Sequence, residues 1–310
     1  MYTLNLLKMK KILVIYYSQT GQLKMIADHM LKPIKYLPGI EIVFEQIKPI
    51  HDYPFPWGKE FFKCFPESVK GIPCELKPFN FDPTIKWDLI IIAFQSWFLS
   101  PSIPISSFLH TKEASALLKN RKVLTLHGVR NMWTASQEIV KKKLSLLGAD
   151  LVGNVVLADK TNNYIAGITI IRWLVSGKKG PSWILPAAGV SSEDIENSSV
   201  FGDIIGDAVT NGQFGDLQKK LVQAGGVKVI YHLVSIESTA RKIFNKFADY
   251  VLKKGEAGDI LRNTRIRLFK WYLLFVFFIV SPVASVFYII KGFLMFREKR
   301  QNVSYYEGVR

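Results

Sequence analysis

The sequence predicts an α/β fold: a three-layer sandwich on a five-stranded parallel sheet, with aromatic and proline-rich insertions and a C-terminal membrane segment. Three observations lead there. Short runs rich in Val, Ile and Leu recur at 11–17 (KILVIYY), 40–47 (IEIVFEQI), 88–94 (DLIIIAF), 122–127 (KVLTLH) and 150–157 (DLVGNVVL). Several lack the polar alternation of a half-exposed strand, so they read as strands covered on both faces. Helical periods fall between them: Leu23, Ile26, Ala27, Met30 and Leu31 at spacings of three and four, a stretch around 106–118, and one around 133–147 closed by Gly148. Strands alternating with crossover helices make a doubly wound domain. Finally, 271–290 (WYLLFVFFIVSPVASVFYII) runs 20 residues without a charge, about the length that crosses a bilayer core. The expected organisation is a leader over 1–10, a domain over 11–265 with insertions at 48–87 and 160–200, and an anchor over 266–310.

The chain has 310 residues, 49% of them hydrophobic, enough for a sizeable core, and a formal net charge of +16. Such a charge calls for an anionic partner, either nucleic acid or a membrane surface. Zinc-finger spacing, an Arg-rich arm and an RNP-like strand are all missing, so nucleic acid is excluded and an anionic membrane surface is expected. The two cysteines, Cys64 and Cys74, make no disulfide framework and fit a reducing compartment. Residues 1–10 hold too few apolar residues before Lys8, Lys10 and Lys11 for a secretory signal, and Met9 is an alternative start. The expected location is the cytoplasmic face of the cytoplasmic membrane, anchored by 271–290. Arg262, Arg265, Arg267 and Lys270 precede that segment, and Lys291, Arg297, Lys299 and Arg300 follow it, so charge asymmetry sets no orientation. Ser281-Pro282 at its centre admits both a spanning helix and a re-entrant hairpin.

In a doubly wound sheet ligands bind outside the carboxyl ends of the strands, which here means the loops 18–23, 95–104 and 128–133. The first, Ser18-Gln19-Thr20-Gly21-Gln22, joins strand to helix, so its N–H groups and the helix N-terminus favour an anion. A P-loop needs Gly-Lys-Ser/Thr, yet Gly21 is followed by Gln22-Leu23 and Lys24 comes one position late. A dinucleotide fingerprint needs three glycines and this loop has one. A terminal phosphomonoester remains. "SQTGQL" after a buried strand resembles the phosphate loop of flavodoxin-like proteins, commonly Ser/Thr-x-Thr-Gly-x-Thr, with Leu23 where the pattern has its last hydroxyl. The resemblance implies FMN as cofactor. The second loop carries Gln95, Ser96, Trp97 and Phe98, whose aromatics suit an isoalloxazine. The third carries Gly128, Arg130, Asn131 and Trp133. Arg130 is placed to face flavin N1 and O2 or a substrate enolate. His127, at a strand end, is the candidate base. No metal is expected: Glu193, Asp194 and Glu196 lack His or Cys partners at ligand spacing and read as a solvated helix start.

The strings "KILVIYYSQTGQLK", "PFPWGKEFFKCFPESV" with "IPCELKPF", "SWFLSPSIP" and "GVRNMW" resemble those of a bacterial family, the dialkylresorcinol-condensing enzymes, over about 9–265. That resemblance implies a membrane-linked flavodoxin-fold partner of a ketosynthase, acting in the formation of dialkylresorcinols and flexirubin-type pigment precursors. Condensation itself needs a nucleophilic Cys with His partners, and Cys64 and Cys74 lie in a Pro/Phe-rich loop without them. The redox step is the better assignment: FMN-dependent aromatisation of an apolar cyclic dione, a 2,5-dialkylcyclohexane-1,3-dione, to a dialkylresorcinol. Residues 48–87 hold seven of the chain's 14 prolines and read as an ordered, largely non-helical aromatic cover. The apolar stretch 164–189, edged by Arg172, Lys178 and Lys179, suits a membrane interface through which substrate enters. Helices are expected over 198–224 and 237–254, with an extra edge strand at 227–234. Two other readings stay open: an NAD(P)H-dependent quinone or flavin reductase at the membrane, and a non-catalytic scaffold that has lost FMN and tethers the ketosynthase, with Leu23 as its main support.

Overall fold

The computed structural model describes residues 9–58 and 60–309; most of the expected leader lies outside them, and its last residue, Lys10, already opens the first strand. The strands are β1 (Lys10–Tyr16), β2 (Ile40–Gln46), β3 (Leu89–Phe94), a two-residue pair β4 (Ser96–Trp97) and β5 (Ser100–Pro101), β6 (Lys122–Val129) and β7 (Asp150–Ala158). Five of them form a parallel sheet in the order β2-β1-β3-β6-β7. This is the flavodoxin-like doubly wound order, whose switch point lies between β1 and β3.

Both faces of the sheet are buried because each central strand is apolar on both sides. Ile12, Val14 and Tyr16 point to one face, joined there by α1 (Gln22–Met30), α7 (Ser192–Asn197), α8 (Ser199–Asn211) and α9 (Leu217–Gln223). Leu13, Ile15, Ile90, Ile92 and Phe94 point to the other, under α3 (Ile103–Phe108), α4 (Lys112–Leu118), α5 (Thr134–Leu146) and the 48–87 segment. That segment is the expected cover: Trp57 and Phe81 are buried in it, a short 3-10 turn (Glu60–Cys64) and α2 (Phe65–Lys70) are the only regular pieces among its described residues, and Pro49 bridges to Leu76 across it. The second insertion contains α6 (Asn163–Ser176) and α7.

The structure corrects four of these expectations. The 106–118 and 198–224 stretches each break into two helices: α3 and α4 flank Thr111, which caps α4 by accepting the Ala114 N–H, and Gly212 (φ 65°) closes α8. The 227–234 run is not a strand: it leads into a long helix, α10 (Tyr231–Leu252), and it joins the sheet edge without strand pairing, through the Gly226 carbonyl, which accepts the Val156 N–H, and the Val227 side chain. The tail is not a separate unit. Its helix α11 (Asn263–Phe275) buries Ile266 and Phe269 in a core with Phe65, Phe244 and Val251. A π-turn (Val276–Val280) then joins α11 to α12 (Ser281–Leu294), and α13 (Phe296–Glu307) ends the tail. Pro282 explains the π-turn: it has no N–H to give to the preceding turn, so the ladder slips by one residue.

Candidate functional site

The loops after β1, β3 and β6 converge on a cavity of about 310 Å³ at the switch point. Of the residues expected from the sequence, Gln19, Thr20, Gln22, Gln95, Ser96, Trp97, Phe98, Gly128 and Arg130 line it.

The first loop turns at Gly21, whose φ of 80° lies in the left-handed region and which caps α1 without any side-chain hydrogen bond. Only glycine adopts this cheaply. The Thr20 and Ser18 hydroxyls accept the Gln22 and Lys24 N–H groups at 3.4 Å each, long bonds that leave both oxygens free to turn. Gln22 is held elsewhere: its amide donates to the Val190 carbonyl (3.0 Å) and accepts the Val190 N–H (3.2 Å), tying the second insertion to α1. Leu23 is buried in the core, so that position packs the helix.

The second loop is a tight hairpin, β4 and β5, with Phe98 (φ 49°) and Leu99 (φ 62°) at its tip. Two positive φ values in succession make a primed turn normally built on Asn and Gly, and side chains there carry strain. Outside contacts hold it: the Ser68 hydroxyl donates to the Trp97 carbonyl (2.9 Å), and Arg241 donates to the Leu99 carbonyl (3.1 Å) and the Ser100 hydroxyl (2.7 Å). Trp97 is buried edge-on against Tyr17, Tyr53 and Trp57, while Phe98 stacks on Phe61 at 4.7 Å. The aromatic cover and this loop therefore form one wall.

The third loop supplies the charge. Arg130 has no ion-pair partner among the described residues; its guanidinium faces Met132 Sδ (3.7 Å) and lies 5.1 Å from the Phe277 ring. Burial pulls its pKa down to about 10 despite the more distant Asp159 and Glu237, so it stays cationic. Asn131 points away, donating to the Thr161 carbonyl (3.4 Å), and Trp133 is buried with Val129, Val156 and Val227. Neither lines the cavity.

His127 is corrected. It is fully buried, its Nε2 lies 2.9 Å from Gln137 Oε1, and its ring packs on Phe94. Burial pushes its pKa down to about 4. The side chain belongs to a buried polar chain running through Gln137 and Thr125 to Asn154, and it reaches no part of the cavity. The thiols stay out of the chemistry too: burial pushes Cys64 well above its ordinary value, and Cys74 sits against Ser107. Among the described residues no cluster suited to a metal occurs.

Sequence reasoning missed the rest of the lining. Asp159, one residue past the end of β7, accepts the Thr161 N–H (2.9 Å) and the Gly189 N–H (3.2 Å). Its place at a strand's carboxyl end was a readable signal. Ile170, Ile171, Trp173 and Leu174 of α6, together with Leu273, Leu274, Val276, Phe277 and Ser281 of the tail, close the apolar side. Nothing in a uniform apolar run distinguishes residues that face a cavity.

No family model matches this chain, and no curated protein does. Solved structures do. A flavoprotein from Lactobacillus acidophilus in complex with FMN is 18% identical, covering 47% of this chain and 93% of its own, at a TM-score of 0.39. A flavodoxin from the domain Archaea is 11% identical, with coverages of 64% and 98% and a TM-score of 0.35. Oxidised Flavodoxin 1 from Bacillus cereus is 17% identical, with coverages of 63% and 95% and a TM-score of 0.33. These are distant likenesses, and the fold assignment stands on the chain's own strand pairing.

Proposed function

We propose that this chain is an FMN-dependent oxidoreductase, held at the cytoplasmic face of a membrane by its tail, that aromatises a 2,5-dialkylcyclohexane-1,3-dione made by a ketosynthase partner. Arg130, which makes no ion pair among the described residues although Asp159 lines the same largely apolar cavity at the switch point, carries this reading. A desolvated cation with no carboxylate in direct contact costs free energy unless a ligand supplies the anion.

The residues fit FMN. Ser18, Thr20 and the N-terminus of α1 would hold its phosphate, and the Gln95–Phe98 and Gly128–Arg130 loops would hold its ring system. When bound there, FMN supplies the two-electron acceptor that conversion of the dione to a resorcinol requires. The chain's own contribution is orientation and charge. Arg130 stabilises the enolate of the 1,3-dione, whose anion it pairs in a low-dielectric site. Phe61, Phe62, Ile170 and Leu273 bury the alkyl chains and exclude water.

The test is conversion of a dialkylcyclohexanedione to its resorcinol by the FMN-reconstituted protein with an added electron acceptor, followed by mass as the loss of two hydrogens. Conversion that needs both FMN and Arg130 supports the reading. Rapid flavin reduction by NAD(P)H with no dione turnover replaces it with a quinone or flavin reductase.

A further inference from the structure

We infer that the apolar tail does not cross the membrane but lies in its plane, so that the face shared by α6 and α11–α12 docks on an anionic lipid leaflet directly over the cavity. This rests on the membrane attachment named in the proposed function and adds its geometry.

The helical stretch from Ile260 to Leu294, running on through the π-turn, has 35 residues and is 6% buried over its most apolar window. Its charge-free part, 271–290, is about 30 Å long at 1.5 Å per residue and matches a hydrocarbon core, so the choice between spanning and lying in plane falls to how its ends are held. Both of its ends are fastened to the same body. At the start, Arg262 pairs with Glu67 at 2.8 Å and Phe269 stacks on Phe65. At the far end α13 returns to the domain: Tyr305 donates to Glu138 (2.8 Å) and Gln218 donates to the Glu307 carbonyl (2.6 Å). Between these points α12 packs along α10, with Gly292 against the Tyr231 ring. Helix α10 carries Glu237, Arg241, Lys242, Lys246 and Asp249, and drawing it into hydrocarbon beside a spanning tail would strip those charges of water. An in-plane helix removes that cost.

The outer face is continuous across two elements. Tyr164 of α6 meets Phe277 and Ser285 of the tail, and Ile165 and Ile168 beside that seam are exposed, as are Phe278, Val283, Phe287 and Ile290. Arg172, Lys178, Arg267 and Lys270 border these segments in sequence and have no ion-pair partner among the described residues. A leaflet of anionic headgroups satisfies both the apolar face and the unpaired cations, which a second copy with the same charge does not. Phe277 lines the cavity from the same seam, so an alkyl-chain substrate has a short lateral route from the leaflet.

The test uses full-length protein added to sealed vesicles of phosphatidylcholine and phosphatidylglycerol. In a Cys64→Ser/Cys74→Ser background, single thiols are introduced as Asp203→Cys, on exposed α8, and Gln301→Cys, on exposed α13, and reacted with an impermeant maleimide. Equal labelling of the two from outside is expected, with at least tenfold loss of vesicle binding in the Phe287→Glu/Ile290→Glu variant at unchanged flavin content and weaker binding to pure phosphatidylcholine. Protection of the Gln301→Cys variant alone would establish a spanning tail and overturn the inference. Absence of vesicle binding, or a dimer in its place, overturns both this geometry and the membrane attachment. Flavin content is read separately on the same samples, so loss of the FMN reading leaves the labelling result standing.

Discussion

Arg130 and the buried pair His127 and Glu237 decide the chemistry and the pH response at the scale of single residues. On the proposed mechanism, replacing Arg130 with Ala removes the cation that pairs with the enolate, and kcat/KM for the dione should fall by about 10²–10³-fold, the range for deleting one preorganised donor. Arg130→Lys restores charge without the planar fork and should fall between; equal turnover in all three proteins would remove Arg130 from the mechanism. Glu237 accepts the Ala135 N–H (2.9 Å) and so caps α5 from α10, and its burial pushes its pKa up to about 7, against an ordinary value of 4.5. His127 is displaced the other way, from 6.5 to about 4. Between about pH 4.5 and 7 the native state holds a proton on Glu237 that the unfolded chain releases, so this group's stabilisation is lost as pH rises. Between about pH 4 and 6.5 the unfolded chain holds a proton on His127 that the native state does not, so that stability is lost as pH falls. The two nearly cancel across their shared window. Glu237→Gln, which keeps an acceptor for the cap, should unmask the histidine and lose about 3 kcal/mol between pH 6.5 and 4 relative to the wild-type profile. Denaturation curves of the two proteins at several pH values check this, and parallel profiles would contradict it.

At the scale of elements, two glycines set how closely helices approach. A Cβ at Gly202 of α8 would lie 1.9 Å from the Met30 carbonyl oxygen at the end of α1. Backbone cannot step aside as a side chain can, so Gly202→Ala should cost about 1–3 kcal/mol of stability, read as a lower midpoint in a denaturant titration. A Cβ at Gly167 of α6 would instead meet the Phe277 ring at 2.3 Å and the Arg130 guanidinium at 2.7 Å. Both are movable ends, so Gly167→Ala should reshape the cavity wall, raising KM for the dione several-fold while flavin content holds. Much of this was legible from the sequence. The five strands fall within one or two residues of the apolar runs, and the three ligand loops follow from strand order alone. The breaks at Thr111 and Gly212 were missed because a helix pair and one long helix share the same apolar period. The 227–234 run misled because a β-branched segment beside a glycine pair can lead into a helix as readily as form an edge strand.

At the scale of the whole molecule, the tail and the cover do more than decorate a sheet. They finish the cavity that the three loops only begin, which is why composition announced a helix long and apolar enough to cross a membrane but not that Leu273, Leu274 and Phe277 would line the cavity. Site residues at strand ends were readable for the same reason that His127 was overestimated: position along a strand is visible in sequence, whereas the side to which a residue points depends on the layers packed around it. The claim that unites sheet, loops and tail is a flavin held beside an apolar dione. An absorption spectrum of the detergent-purified protein, taken before and after anaerobic addition of a dialkylcyclohexanedione, tests it most directly. A bound or reconstitutable flavin whose visible band bleaches with the dione is expected, as is loss of that flavin in Thr20→Asp, where a carboxylate would stand against the phosphate. A protein that takes up no flavin, or a flavin that the dione leaves oxidised, would contradict it.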